Sequence, residues 1–397
     1  MVKVFNCDVL VVGCGPAGSM AGLGAARGGA RTLIIERKKD IGFPERCGES
    51  LAGLHTYEKR LDIKIDPACI ANDEVQGMQL YSHSGKASPV IETTSSVIER
   101  RLFDKCLAKQ AVASGAELWI QTNALEVLKD KGFIYGVKAK RDGEPIEIHA
   151  KVVIGADGFS SGICRGAGLK RPHISFQCYS FEVTNVNYDH HIFPCFVSYD
   201  FSPGAHAWWV PKNQNTANIG VGILTGYDKA KTSLREYYRR FTQHPVVSKW
   251  LKGGQYTALL TGTTWYGAPA EKTYGNGVLL AGDAGSIVWV THGAGIAMSM
   301  SSGYMAGETA AQAVKESNVS ASSLSRYEDK WKSTIGKSIF SHVESAKLVR
   351  EMVASNDQIE KAMTEIGREF VGLLIFSRGY VEPVKEWLKS YRKVAVS

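Results

Sequence analysis

Six consecutive residues, Gly13-Cys14-Gly15-Pro16-Ala17-Gly18, have a spacing that can do chemistry, and Glu36 and Arg37 close the next apolar run. Glycines so placed let a backbone approach a pyrophosphate, and a helix starting at the turn offers free N–H groups and the positive end of its dipole. Glu36 can accept hydrogen bonds from a ribose. Further on, Arg46-Cys47-Gly48-Glu49-Ser50 carries a solitary thiol between an arginine and a Gly-Glu pair. That thiol is a packing residue, half of a disulfide, or an acid facing a substrate.

Certain elements must hold these groups. An apolar strand at Val9 to Val12 leads into the glycine turn, an Ala/Gly-rich helix runs to about Gly29, and a second strand at Thr32 to Ile35 ends in the acid. Strand, turn, helix, strand and terminal acid together are the pattern of a dinucleotide-binding unit. Two distant segments repeat the theme of a strand ending in a glycine and an aspartate. "KVVIGADG" ends in Asp157-Gly158, and "NGVLLAGD" ends in Gly282-Asp283, after which Gly293-Ala294-Gly295-Ile296 opens another helix.

With these three motifs in this order, residues 5 to 310 resemble the FAD-dependent oxidoreductases of the p-hydroxybenzoate hydroxylase superfamily. The resemblance implies FAD as cofactor and an α/β fold. In that fold a Rossmann-type FAD-binding domain carries an inserted antiparallel-sheet substrate domain and a helical C-terminal segment. It implies that Asp283 bonds the ribityl chain, that Asp157 and Gly158 shape the pyrophosphate region, and that Arg100, in Arg-x-x-Phe-Asp, contacts FAD. The helix beginning near Gly295 and Ile296 would aim its N-terminus at the pyrimidine edge of the flavin, where its partial positive charge favours the reduced form.

Within that superfamily, "HAWWVPKNQNTANIGVG" resembles the lipid-contacting motif of the geranylgeranyl reductase family, Tyr-x-Trp-x-Phe-Pro followed by Gly-x-Gly. Trp208, Pro211, Gly220 and Gly222 match, while His206 replaces the tyrosine and Val210 the phenylalanine. Read without the family, these are two strands joined by a polar turn at Asn213 to Thr216, with His206, Trp208 and Val210 on one face and Ala207 and Trp209 on the other. Arg46-Cys47-Gly48-Glu49 matches a second signature of archaeal members, with Ser50 in place of glycine. The chain departs from the family at Gly285-Ser286, where Ala-Gly is usual, and at Val290, where proline is usual, with Thr291 and His292 following.

The resemblance therefore implies an FAD-dependent reductase that saturates prenyl double bonds of geranylgeranyl ether lipids or a related isoprenoid by hydride transfer. Cys47 is the candidate proton donor. Candidate cofactor contacts are Gly13, Gly15, Pro16, Ala17, Gly18, Glu36, Arg37, Arg46, Cys47, Gly48, Arg100, Asp157, Gly158, Gly282, Asp283, Gly295 and Ile296. Candidate substrate contacts are His206, Trp208, Val210, Pro211, Gly220, Gly222 and His292. Glu49 and His55 are weaker acid candidates. The competing readings are an aromatic hydroxylase or halogenase on the same frame, and a prenyl-binding carrier resembling the Rab GDP-dissociation inhibitors. The intact glycine and aspartate set opposes the carrier.

Bulk properties agree with an enzyme of this size. A chain of 397 residues, 44% hydrophobic and 22% charged, has room for two or three domains and is neither disordered nor fibrous. The domain expectation is residues 1–170 with 271–315 for FAD, including an excursion near 71–98 into the substrate domain, then 171–270 for the substrate sheet and 316–397 as a helical segment. The last of these reads either as a lid with a basic rim or as ordinary amphipathic packing. No apolar run reaches membrane-spanning length and no signal-peptide cleavage region is visible, so a cytoplasmic location is expected, peripheral on the membrane if the substrate is a lipid. The eight cysteines include no CxxC pair or zinc-spaced cluster, so neither a metal site nor a disulfide framework is implied. A net charge of +8 favours an anionic membrane surface or phosphate groups, with no nucleic-acid partner expected. No second nucleotide-binding unit is present, so reducing equivalents would come from ferredoxin, a reduced deazaflavin or NAD(P)H.

Overall fold

Strand Lys3–Val12 lies at the centre of one sheet, parallel to Glu144–Gly155 on one side and Thr32–Ile35 on the other. The computed structural model describes residues 2–227, 232–291 and 293–396. Val278–Leu280 and Glu117–Trp119 extend this parallel core outward, and the hairpin Thr122–Asp130 and Phe133–Arg141 joins it through Glu144–Gly155. A parallel sheet covered on both faces needs continuous apolar strands. Val9 and Val11 accordingly pack with the helices Pro16–Arg27 and Ile296–Lys315, while Leu10 and Val12 pack on the other face with Ile134 and Val137.

The strands' C-terminal ends all face one crevice, and every nucleotide motif follows such an end. Val12 leads to Gly13, Ile35 to Glu36, Gly155 to Asp157, and Leu280 to Asp283. Backbone bonds lace these ends together, Gly13 N donating to the Ile35 carbonyl, Ala156 N to that of Val12 and Ala281 N to that of Gly155. Gly13 has φ +100°, and a Cβ there would lie 2.4 Å from the Ala156 carbonyl oxygen, so only glycine fits. The two long helices owe their close approach to small residues: a Cβ on Gly303 or Gly307 would lie 2.1 Å from the carbonyl oxygen of Ala17 or Ala21.

The second sheet runs, in spatial order, Gln255–Trp265, Ser175–Thr184, Thr216–Leu224, Ala207–Pro211, Ile192–Phe196, Ile70–Tyr81, Ile91–Ile98 and Ser50–Ala52. Its pairings are antiparallel except for Ile192–Phe196 beside Ile70–Tyr81. The part of the N-terminal region in this sheet is wider than 71–98, because Ser50–Ala52 pairs with Ile91–Ile98. The segment bearing Cys47 is thus the strand of chain that crosses from one sheet to the other.

The C-terminal residues do not act as one unit. Leu324, Tyr327, Trp331, Ile335 and Ile339 join the core around the glycine-turn helix, whereas helices Lys337–Met352, Asn356–Ile375 and Val381–Val396 back the second sheet against Met78, Leu80 and Cys195. The apolar run read at residues 370 to 376 is mostly core: Phe370, Val371, Leu373 and Leu374 are buried there. No described helix is long and apolar enough to cross a membrane.

Ser286, at one departure from the family pattern, has φ +56° and a buried hydroxyl without a partner. A non-glycine residue in that region costs about 1–2 kcal/mol, and the orphaned hydroxyl adds to it. Ser286→Gly should therefore raise the melting temperature of the protein, with a stabilisation of ~1 kcal/mol measured by denaturant unfolding; a lower midpoint would show that the serine is not strained.

Candidate active site

Two adjoining cavities occupy the crevice. The larger, about 850 Å³, is lined by Gly13, Gly15, Glu36, Arg37, Arg46, Asp157 and Gly158. The smaller, about 370 Å³, starts at Gly15, Pro16, Ala17, Asp283, Gly295 and Ile296 and reaches Phe176, Phe193, His206, Trp208 and Val210 on the second sheet side and Ile375 at the end of helix Asn356–Ile375. Arg46, Cys178 and Asp283 border both.

The larger cavity fits the dinucleotide half expected there. A Cβ on Gly15 or Gly158 would meet nothing within 4 Å, which leaves both backbones bare to the cavity. Asp157 Oδ2 accepts from the N–H groups of Gly162 and Ile163 at 2.7 and 3.2 Å, while its Oδ1 is buried without a partner. Glu36 accepts from Cys14 N at 2.8 Å through one oxygen and Lys38 N at 2.9 Å through the other. These bonds hold its carboxylate at the cavity wall, and each oxygen keeps a lone pair for a ribose. Gly18 and Gly282 lie behind the wall: a Cβ on Gly18 would strike the Gly13 carbonyl, and Gly282 N donates to Ser302 Oγ at 3.0 Å. Those two glycines shape the turn and do not line the space.

At the junction of the cavities, Asp283 is half-buried, and burial raises its carboxyl above the usual range against the opposing pull of Thr264, whose hydroxyl donates to Oδ2 at 3.1 Å, and of Arg100. Helix Ile296–Lys315 starts here with neither a side-chain cap nor an acid in its first turn, so its N-terminal partial charge is directed at the cavity. Arg100 is half-buried and forks onto Asp104, Nε to Oδ1 and Nη2 to Oδ2 both at 3.0 Å. It borders the smaller cavity next to Cys47, not as an exposed helix charge.

Cys47 faces the same cavity. Its sulfur accepts from Glu49 N at 3.1 Å, and burial pushes its thiol above the ordinary 9.0, only partly opposed by Arg100 and that N–H. The group is a protonated thiol at neutral pH. All eight cysteines are free.

A buried polar knot fixes the Cys47 segment. Lys212 Nζ, 2% exposed, reaches Glu49 at 3.3 Å, Glu99 at 3.0 Å and Glu182 at 2.6 Å. Burial alone would lower the Lys212 ammonium, but the three carboxylates override it and hold it above its usual value. Glu49 is fully buried with φ +66°, a conformation rare for a non-glycine residue, and burial raises its carboxyl despite Lys212. Asn218 completes the knot, donating through Nδ2 to the Cys47 carbonyl at 2.8 Å and to Glu49 Oε2 at 3.1 Å. Its Oδ1 accepts from the Trp208 indole at 3.1 Å. One side chain therefore couples the thiol's backbone to the tryptophan on the facing strand.

Among the sequence-derived substrate residues, His206, Trp208 and Val210 line the cavity, and the His206 ring stacks on Phe176 at 5.5 Å. Gly220, Gly222 and Pro211 do not line it. A Cβ on Gly220 would come within 2.4 Å of Trp208, and one on Gly222 within 2.0 Å of Phe176, so the room left by the glycines is filled by those two rings. Pro211 is buried, its carbonyl accepting from Asn72 at 2.9 Å. His292 lies outside the described residues. Gly48 faces the Trp208 indole, 3.7 Å from where its Cβ would stand. Asn218, Lys212, Cys178 and Phe176 are the site residues that sequence reading missed. A lysine and an asparagine interrupting otherwise apolar strand ends were the available signal.

The description "FAD binding domain" matches residues 6–338. A digeranylgeranylglycerophospholipid reductase from Methanopyrus kandleri is 34% identical over 96% of this chain and 95% of its own. The chain belongs to the geranylgeranyl reductase family of FAD-dependent oxidoreductases. A solved relative of this family member, a geranylgeranyl bacteriochlorophyll reductase-like protein from Thermoplasma acidophilum, superposes with a TM-score of 0.85 at 29% identity, covering 97% of this chain and 100% of that one. A flavin-dependent brominase, 20% identical with a TM-score of 0.73 over 98% of this chain and 99% of its own, shares the fold. FAD is the cofactor of this reductase, and Gly13, Gly15, Glu36, Asp157 and Asp283 line the two cavities of the crevice.

Removing the cation from the knot leaves Glu49 buried and unpaired. Lys212→Met should destabilise the reductase by about 3–5 kcal/mol, and adding Glu49→Leu should recover part of that loss. Denaturant midpoints of the single and double variants measure this; equal midpoints for wild type and Lys212→Met would show the knot to be energetically idle.

Proposed function

We propose that this protein reduces isolated double bonds in the prenyl chains of geranylgeranyl ether lipids or a closely related isoprenoid, with Cys47 as the proton donor. The observation that supports this reading is the smaller cavity: Phe176, Phe193, Trp208, Val210 and Ile375 give it an apolar wall, and the Cys47 thiol lines it beside the cofactor turn, with Cys178 and Cys195 further along the lining. Phe176, Trp208 and Ile375 hold an apolar chain by burial and keep water away. FAD, once bound and reduced by an external donor, would supply the hydride chemistry for the alkene. The Cys47 thiol gives its proton to one of the two alkene carbons, so each double bond gains two hydrogens. The thiolate left behind sits beside the Arg100 guanidinium, which stabilises it until the product leaves and solvent returns the proton. Asn218 and the Lys212 knot keep the Cys47 backbone in register with Trp208, so the alkene and the thiol meet at a fixed spacing.

The reductant is an external donor of the ferredoxin, reduced deazaflavin or NAD(P)H class. The net charge of +8 supports docking on an anionic membrane surface, where such a lipid resides.

Chemical reduction of the holoprotein without oxygen, followed by addition of a geranylgeranyl lipid, should give mass gains of two hydrogens per double bond. Cys47→Ala should lower the rate by about 100-fold or more while the flavin absorbance is retained. Oxygen-dependent hydroxylation with no mass gain on any prenyl lipid would overturn the reading, and full turnover in both Cys47→Ala and Cys47→Ser would remove the thiol from it. Because the thiol's pKa is raised, its protonated form persists up to and beyond pH 9.0. The single-turnover rate should therefore show no inflection from this group between neutrality and pH 9.0 and should fall only above it; a decline centred near neutral pH would contradict a thiol donor.

A further inference from the structure

Away from both cavities, the fold brings together one carboxylate and two imidazoles that the sequence keeps 116 residues apart. Glu74, on strand Ile70–Tyr81, and His190 and His191, just before strand Ile192–Phe196, each offer a ligand atom within 4.8 Å of the other two. Spacing along the chain could not reveal this cluster, because only the parallel pairing of those strands creates it.

We propose that Glu74, His190 and His191 form a binding site for a divalent transition-metal ion, with zinc as the reference ion. His190 Nε2 lies 3.2 Å and His191 Nε2 3.7 Å from the same oxygen, Glu74 Oε2. Ligands bonded at about 2.0–2.1 Å to a tetrahedral ion stand about 3.3 Å apart, so the two glutamate–histidine separations need to change by only a few tenths of an ångström, and the two imidazole nitrogens lie within 4.8 Å of each other. The chemistry also matches, since two imidazoles and a carboxylate are a common zinc set and leave one position for water.

A second layer already orients these ligands. Asp189 Oδ1 lies 3.1 Å from His191 Nδ1, the carboxylate–histidine arrangement that fixes the tautomer and leaves Nε2 free to bind a metal. The backbones are tied down as well. Asn72 Nδ2 donates to the His190 carbonyl at 3.0 Å, Gln76 N to that of His191 at 2.8 Å, and Glu74 N to Asn72 Oδ1 at 2.8 Å. The imidazoles stand side by side, their centroids 4.0 Å apart. Glu74 and His190 line a polar cleft together with Asn213 and Asn215.

An ion there would staple the start of strand Ile70–Tyr81 to the start of Ile192–Phe196. Met78 and Cys195 on those strands line the smaller cavity, so the staple would stiffen one cavity wall without touching the cofactor.

The test uses tag-free, FAD-loaded full-length protein and zinc alone. Calorimetric titration should show one zinc per chain and zinc should raise the melting temperature. His190→Ala, His191→Ala and Glu74→Gln should each weaken binding at least tenfold, and Asp189→Asn by about tenfold, with the flavin spectrum unchanged. His55→Ala, an exposed histidine paired with Glu58 and Asp73, should bind as wild type does. Should a ligand variant fail to fold, cobalt(II) on the wild-type protein decides: intense visible d–d bands are expected of a tetrahedral site. No saturable binding, wild-type affinity in the ligand variants, or only the weak spectrum of hydrated cobalt would overturn the proposal and leave ordinary histidine–glutamate hydrogen bonds.

Discussion

One buried ammonium holds the two halves of this reductase in register. Lys212 leaves the end of a substrate-sheet strand and meets Glu182 from the same sheet, Glu99 from the entrance of a cofactor-side helix, and Glu49 from the crossing segment. The wholly buried Glu49 carboxylate is tolerable only because the cation is there, and the buried cation only because of the three carboxylates. The left-handed backbone at Glu49 persists because Lys212 and Asn218 grip its side chain. The position of the thiol two residues earlier follows from that grip.

The rest of the architecture can be read outward from this point. Parallel strands deliver the nucleotide motifs to one crevice, small residues let two helices lie close enough to form its floor, and the antiparallel sheet closes over it with an aromatic face. Trp208 and Phe176 owe their seats to Gly220 and Gly222, so the family's Gly-x-Gly acts here by making space for rings rather than by touching a lipid. The wall is thus built in two layers, the outer set by the absence of side chains in the inner.

What the sequence revealed and what it concealed divide along the range of the interactions. The glycine turn, Glu36, Asp157-Gly158 and Gly282-Asp283 were legible because a dinucleotide is gripped by local backbone geometry, and local geometry is written in neighbouring residues. Trp208 and Val210 were legible as one face of a strand. Lys212 and Asn218 were not, because their meaning depends on Glu49 and Cys47, which lie 163 and 171 residues away. The split of the C-terminal helices between two cores was equally hidden, since amphipathic spacing tells that a face is buried but not against what.

The crossing segment has a mechanical consequence. The chain enters the second sheet at Ser50, returns to the first by way of the helix Arg100–Ala113, and enters the second again at Ser175. Two units sewn together by repeated passes cannot part like beads on a single thread. Any shift of one sheet against the other must therefore bend all of these crossings at once, including the one that carries Cys47.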